Sequence, residues 1–296
     1  MERTPLQQLR EYGQSAWLDA RAPGSAHLGE LKTLIGAHGI RGAAAGRECT
    51  VADLQRACDL LGEVWAESGG EDGYVSGCAD PELVDRPNYM VQIPATDAGL
   101  DAISDRIAAG TSVDATHVCR LSRYGEVIDA YMSGVARLVQ RGADPASVTS
   151  VASFEVAPVD IEADRRLAGL DGGAKLRGRL GIANARLAYQ SYRRAFGEWR
   201  WRSLAARGAR PQRCCWTSTS RDDPAYCDVT YVEELIGPET ITALAPATIR
   251  AFEDHGLVAD KLERGAADAR TLFEQIRALG LDLQDIWRAV EAGAGT

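Results

Sequence analysis

Lysine is scarce in this chain: only Lys32, Lys175 and Lys261 occur among 33 basic residues, and all the others are arginine. Positive charge is also outnumbered, 33 Lys+Arg against 42 Asp+Glu, for a formal net charge of −9. A protein that grips a nucleic-acid backbone gains its affinity by neutralising phosphates with a basic face, so nucleic acid is excluded as an expected partner. An anionic membrane surface is disfavoured for the same reason. No apolar run approaches the ~18 residues that a membrane-spanning helix needs, and MERTPLQQLREYGQSAWLDA has no apolar stretch of signal-peptide length. Seven cysteines, at 49, 58, 78, 119, 214, 215 and 227, are odd in number and form no CxxC pair. A disulfide framework or a structural zinc site is therefore not expected, no metal or other cofactor is assigned, and a reducing, cytoplasmic setting is the expectation.

What the chain does contain is a recurring alternation. Short apolar segments bounded by turn residues lie near Ser15–Asp19, Gly39–Ala44, Tyr74–Cys78, Tyr89–Ile93, Val113–Cys119, Val148–Val156, Cys214–Ser218 and Thr240–Leu244. Helical patterns are expected between and after them, near Leu28–Gly36, Val51–Ser68, Ala98–Ala109, Ser122–Arg141, Ile161–Ala205, Ala225–Leu235, Ala247–His255 and Ala259–Ala292. Thr50 with Asp53 three residues on reads as a capping box. Val127, Ile128, Tyr131, Val135 and Leu138 fall on one face of a 3.6-residue period. Repeated strand–helix units predict an α/β fold with a closed parallel barrel, a single (β/α)8 TIM-barrel domain over 1–296 with extra helices. No GxGxxG follows the first strand, and Gly169-Leu-Asp-Gly-Gly173 reads as a helix-breaking loop rather than a nucleotide site. Tyr189, Tyr192, Phe196, Trp199 and Trp201 read as packing residues, and His27, His38, His117 and His255 as packing or solvent residues.

Several stretches resemble the transaldolase family in its actinobacterial form: Tyr12-Gly-Gln-Ser-Ala-Trp-Leu-Asp19, Ile93-Pro-Ala-Thr-Asp-Ala-Gly-Leu100, Ser150-Val-Ala-Ser-Phe154 and Ile182-Ala-Asn-Ala-Arg-Leu-Ala-Tyr189. Ala209-Arg-Pro-Gln-Arg213, Pro224-Ala-Tyr226 and Tyr231-Val-Glu-Glu-Leu-Ile-Gly-Pro238 extend the resemblance in the family's order. It implies a barrel with its pocket at the C-terminal ends of the strands, and an enzyme, often dimeric, that passes a dihydroxyacetone unit through a Schiff base on a strand-four lysine. The amine matters because an iminium accepts electrons that a bare carbonyl does not. Here the lysine position reads Gln92, whose amide cannot form a Schiff base. By the same resemblance, Cys78 stands for the strand-three glutamate, Gly46 for the strand-two asparagine, Asp114 for the strand-five asparagine, Pro158 for a phosphate-clamping arginine and Glu155 for an aromatic residue. Asp19, Thr116, Ser153 and Ser218 keep the family's residues.

The strand pleat then sorts the faces. With Asp114 and Thr116 inward, Val118 is expected inward, and His117 and Cys119 toward the helices; Ser153 shares a face with Glu155, and Trp216 with Ser218. The expected pocket is Asp19, Cys78, Gln92, Asp114, Thr116, Ser153, Glu155 and Ser218, with Trp17 and Arg221 as further substrate contacts. Asp19, Asp114, Glu155 and Cys78 are the candidate catalytic groups. Clustered carboxyls in a barrel are costly unless paired, hydrated or protonated, and repulsion between them should raise at least one pKa, leaving a neutral acid beside an ionised base. A magnesium or manganese site on three carboxylates stays open as an alternative.

The reading is a diverged transaldolase-like enzyme using acid–base chemistry without a Schiff base. Cyclisation, condensation, dehydration or isomerisation of a small, non-phosphorylated carbonyl, polyol or imine substrate, in bacterial specialised metabolism, is expected. Two alternatives stay open: a non-catalytic binding or regulatory barrel, and residual transaldolase activity.

Overall fold

The computed structural model describes residues 3–21, 29–221 and 223–293. Eight strands, β1 (Gln14–Ala20), β2 (Gly42–Ala45), β3 (Tyr74–Gly77), β4 (Tyr89–Pro94), β5 (Val113–Val118), β6 (Ser150–Glu155), β7 (Arg213–Thr217) and β8 (Thr240–Leu244), pair in sequence order into a closed barrel. Every pairing is parallel, including β8 back onto β1. The described helices are α1 (Pro5–Leu9), α2 (Leu31–His38), α3 (Val51–Glu67), α4 (Pro81–Val84), α5 (Asp97–Ala108), α6 (Leu121–Gln140), α7 (Ala157–Leu167), α8 (Leu180–Ala195), α9 (Trp199–Ala205), α10 (Thr230–Glu234), α11 (Pro246–His255), α12 (Ala266–Ala278) and α13 (Leu283–Gly293). The expected (β/α)8 barrel is the fold observed.

The differences from expectation lie in the helices. The stretch expected over Ile161–Ala205 breaks into α7, a 3-10 turn (Gly173–Leu176), α8 and α9, and the one over Ala259–Ala292 divides into α12 and α13. Glycines make the breaks: Gly172, Gly178 and Gly280 take φ of 79°, 69° and 84°, where only glycine is unstrained. The helix expected over Ala225–Leu235 shortens to α10, and the start expected at Leu28 lies outside the described residues. The expected Thr50–Asp53 box does cap α3, with both reciprocal bonds formed. A second box, Thr4 with Gln7, caps the unexpected α1.

Inside the barrel the side chains stack in layers, as period-two alternation requires. At the N-terminal mouth Asp72 accepts from Arg41 Nε (2.6 Å), Arg213 Nη2 (2.9 Å) and Ser15 Oγ (2.7 Å), closing that end. Burial alone would raise the Asp72 pKa, but the two guanidiniums hold it below its ordinary value. Above it Trp17, Tyr74, Met90, Val151, Cys215, Ile241 and Ala243 form an apolar plug. The next layer, toward the C-terminal ends, is polar and holds the candidate site. Outside the strands, Phe154, Trp216, Tyr124 and the helix faces form the main core. A separate apolar cluster packs α12 and α13 onto α7 and α8.

Beneath the loops after β6 and β7 runs a buried polar network. Asp160, fully buried, accepts from Gly181 N (2.7 Å) and Tyr231 Oη (2.9 Å). Asp164 accepts from Gly178 N (2.8 Å), Arg221 Nη1 (2.7 Å) and Tyr226 Oη (2.9 Å). Burial pushes the Asp160 carboxyl up to about 6, against those two donors. A carboxyl whose folded pKa exceeds its unfolded value stabilises the fold at low pH, and that contribution is lost as pH rises from about 4 to about 6. Asp160→Asn should remove this slope of about 3 kcal/mol, read as urea-unfolding free energy across that window; an unaltered slope contradicts the assignment. Gly42 tests the interior plug, because an added Cβ would lie 2.4 Å from the Trp17 indole. Gly42→Ala should cost roughly 1–3 kcal/mol in the same urea assay, and a neutral result would mean that the plug is loose.

Candidate active site

The site begins with β1. Ser15, Trp17 and Asp19 alternate onto the inner face, and the chain turns so that Arg21 folds back onto Asp19. The Arg21 backbone N donates to Asp19 Oδ1 (3.1 Å), Nε to the same oxygen (2.9 Å) and Nη2 to Oδ2 (2.7 Å), a bidentate pair that is stronger and more directional than a single contact. Burial by itself raises the Asp19 pKa; Arg21, and a backbone donor from Ser218, reverse the sign and hold the carboxyl below its ordinary value. Arg21 also feels the fields of Glu155 and Asp114. Sequence reasoning missed Arg21, although the signal was there: it continues the 15, 17, 19 alternation by one further step.

Asp114, from β5, is 1% exposed and lies between two serines, hydrogen-bonded to Ser76 Oγ from β3 (2.6 Å) and Ser153 Oγ from β6 (2.7 Å). Burial pushes its carboxyl pKa up, only partly opposed by the serines and the field of Arg21. One carboxyl of the set is thus raised as expected, but desolvation rather than mutual repulsion does it.

Glu155, the last residue of β6, accepts from Ser218 Oγ (2.7 Å), and its Oε1 lies 3.3 Å from His117 Nδ1. Here the strict alternation fails at two points. His117 takes φ 58° where the β5–β6 register shifts between Ala115 and Val118, so its ring turns into the site while Val118 packs in the outer core. Both residues therefore sit opposite to expectation, and His117 is not a packing residue facing the helices. Ser218 takes φ 52° just past β7, which lets it reach Glu155 although Trp216 points outward onto Phe154, with ring centroids 5.5 Å apart. Two left-handed non-glycine residues at one mouth carry backbone strain held by their surroundings. Burial opposes ionisation of Glu155, but His117, Arg21 and Ser218 together keep its pKa below the ordinary value.

Gln92 occupies the inner face of β4, where its Nε2 donates to Ala45 O (3.2 Å) and its Oε1 accepts from the Cys78 thiol (3.1 Å). Desolvation holds that thiol above its ordinary pKa despite nearby Arg47, so Cys78 is poised as a donor rather than a thiolate nucleophile. Thr116 is buried beside Pro94 at the end of the β4–β5 pairing. A cavity of about 390 Å³ opens next to this cluster, with Arg47, Pro94, Ala95, Thr96, His117 and Glu291 among the residues around it. His117 touches both.

Two residues expected to contact substrate are placed elsewhere. Trp17 is wholly buried in the apolar layer below the polar one, because it lies one pleat step deeper than Asp19. Arg221 pairs with Asp164 (2.7 Å) and Asp223 (3.3 Å) and stacks on the Tyr226 ring at 4.0 Å, so its guanidinium is already consumed by the network behind β6. None of the three lysines lies on a strand: Lys32 is on α2, Lys175 on the 3-10 turn, and Lys261 after α11, paired with Glu233 (3.4 Å) and Glu234 (3.0 Å). Asp19, Asp114 and Glu155 are each engaged by different partners and do not gather their oxygens into one set of metal ligands.

A family model for transaldolase/fructose-6-phosphate aldolase matches residues 25–293. A transaldolase of Frankia alni is 43% identical over 85% of this chain and 74% of its own length. One from Saccharopolyspora erythraea is 37% identical over 97% and 91%, and one from Mycobacterium tuberculosis is 42% identical over 83% and 71%. With the barrel, its polar C-terminal layer and these relatives in agreement, the chain belongs to the transaldolase/fructose-6-phosphate aldolase family.

Proposed function

We propose that this family member works without a Schiff base, by proton transfer on a small, non-phosphorylated carbonyl, polyol or imine substrate. The observation that supports it most is the sorting of three barrel carboxyls by their surroundings: Asp114 is pushed toward its neutral form, while Asp19 and Glu155 are held ionised. Pairs of titratable groups driven apart in this way are how acid and base are assigned at one pH. Glu155, at the mouth and steadied by Ser218 and His117, acts as the base on a C–H or O–H beside the carbonyl. Asp114 returns a proton through Ser76 or Ser153. The Arg21 guanidinium faces the oxyanion that forms when the proton leaves, which is where fixed positive charge lowers a barrier most. An amine would do this covalently; here no lysine lies on a strand, and Gln92 offers only hydrogen bonds.

The substrate carries no phosphate in this reading, because Pro158 leaves one clamp without a cation and Arg221 is tied to Asp164. Isomerisation, cyclisation, condensation and dehydration all begin with the same deprotonation, and specialised metabolism is the setting that suits a family member with altered chemistry. The test follows deuterium exchange from solvent into dihydroxyacetone, hydroxyacetone and a panel of small ketoses and cyclic polyols. The wild type should exchange at least one of them, and Asp114→Asn, Glu155→Gln and Asp19→Asn should each slow that rate about 10²–10⁴-fold. Borohydride with fructose 6-phosphate should leave the protein unmodified. A trapped adduct, or rates unchanged in all three variants, rejects the proposal.

A further inference from the structure

Away from the barrel mouth, three side chains of different ligand chemistry meet at the surface. Cys227 and Asp228 lie on the loop between β7 and α10, and His255 ends α11. Their sulfur, oxygen and nitrogen ligand atoms all lie within 4.8 Å of one another. Cys227 Sγ is 3.8 Å from Asp228 Oδ1, which is 2.9 Å from His255 Nε2. We propose that these three side chains bind one divalent ion of the zinc type, which clips the β7–α10 loop to the end of α11.

The geometry is close to what such an ion requires. Tetrahedral zinc, with N or O at about 2.0–2.1 Å and S at about 2.3 Å, places neighbouring ligand atoms roughly 3.3–3.7 Å apart. The Sγ–Oδ1 and Oδ1–Nε2 separations of 3.8 and 2.9 Å bracket that range, and all three side chains are exposed and free to adjust around an ion. The donor set is suitable as well, since thiolate, imidazole and carboxylate together fit a borderline cation and exclude calcium or magnesium, which take oxygen ligands. A thiolate and a carboxylate neutralise the two positive charges, and a water completes four-coordination.

Two further features favour a cation here. Asp254 Oδ2 lies 3.3 Å from His255 Nδ1, so a carboxylate stands behind the ring nitrogen that does not ligate, the usual way a metal-binding imidazole is oriented. His255 also ends α11, where the last-turn carbonyls concentrate partial negative charge. Read along the sequence, positions 227 and 255 carry no metal-binding spacing; the fold brings them together.

The ion would fix the entry into α10 against the end of α11, at the far end of the loop from Ser218. Binding requires deprotonation of Cys227 and therefore releases a proton.

The test titrates the metal-free protein with Co²⁺ and then Zn²⁺. One Co²⁺ per chain should bind with a thiolate-to-cobalt absorption band, and Zn²⁺ should displace it. Cys227→Ser should abolish the band, and His255→Gln and Asp228→Asn should weaken Co²⁺ binding at least tenfold, while Cys78→Ser, at the exposed cysteine of the barrel mouth, leaves the band intact. Melting temperatures of the metal-free variants confirm that each is folded. No thiolate band in the wild type, a band that survives Cys227→Ser, or affinity unchanged by His255→Gln overturns the proposal.

Discussion

A guanidinium held against a carboxylate inside the barrel is the contact on which the polar layer depends. Arg21 and Asp19 form a bidentate pair at the end of β1, and the field of that guanidinium extends to Asp114 and Glu155. Without it three carboxyls would share a desolvated space with no fixed cation, and burial alone would drive each toward protonation. With it, the outcome depends on distance and hydrogen bonding. Asp19, in direct contact, is held below its ordinary pKa; Glu155, helped by His117 and Ser218, is held below its own; Asp114, hydrogen-bonded to two neutral hydroxyls and only distantly reached by Arg21 and His117, is pushed up by burial. The apolar plug of Trp17, Tyr74 and their neighbours underlies the layer, and the Asp72 ion-pair network lies across the far mouth.

Under the proposed function, this arrangement stands in for part of what an amine would supply. A lysine supplies two things in such a pocket, a covalent electron sink and a positive charge. Arg21 supplies the second and cannot supply the first, since a guanidinium stays protonated and does not condense with carbonyls. On the proposed reading, chemistry that needs only proton transfer and charge stabilisation remains accessible, and cleavage of a C–C bond through an iminium does not.

The barrel was legible in the sequence because its strands are short apolar segments separated by helical periods, and every strand lies within two or three residues of the segment that announced it. The buried carboxyls were legible too, since Asp19, Asp114 and Glu155 fall on inward phases of an alternating pattern. Alternation stopped being a guide where the backbone leaves the extended region. His117 and Ser218 take left-handed conformations that no β-branched or bulky-residue preference announces, and those two residues steady Glu155. Trp17 was misplaced in depth rather than in face, because the pleat tells which side a residue is on but not which layer it fills. Arg221 was misplaced because its partner Asp164 is 57 residues away in sequence and meets it only through folding.

Burial sets the pKa of one barrel carboxyl above those of two others at the same mouth, and carbon-13 NMR of protein labelled at the Asp and Glu carboxyls observes this order directly. Titrated from acid to neutral pH, with Asp19→Asn, Asp114→Asn and Glu155→Gln used to assign the resonances, Asp114 should lose its proton above the ordinary aspartate value and after both Asp19 and Glu155. Titration of Asp114 at or below its ordinary value, or before either partner, would contradict the account.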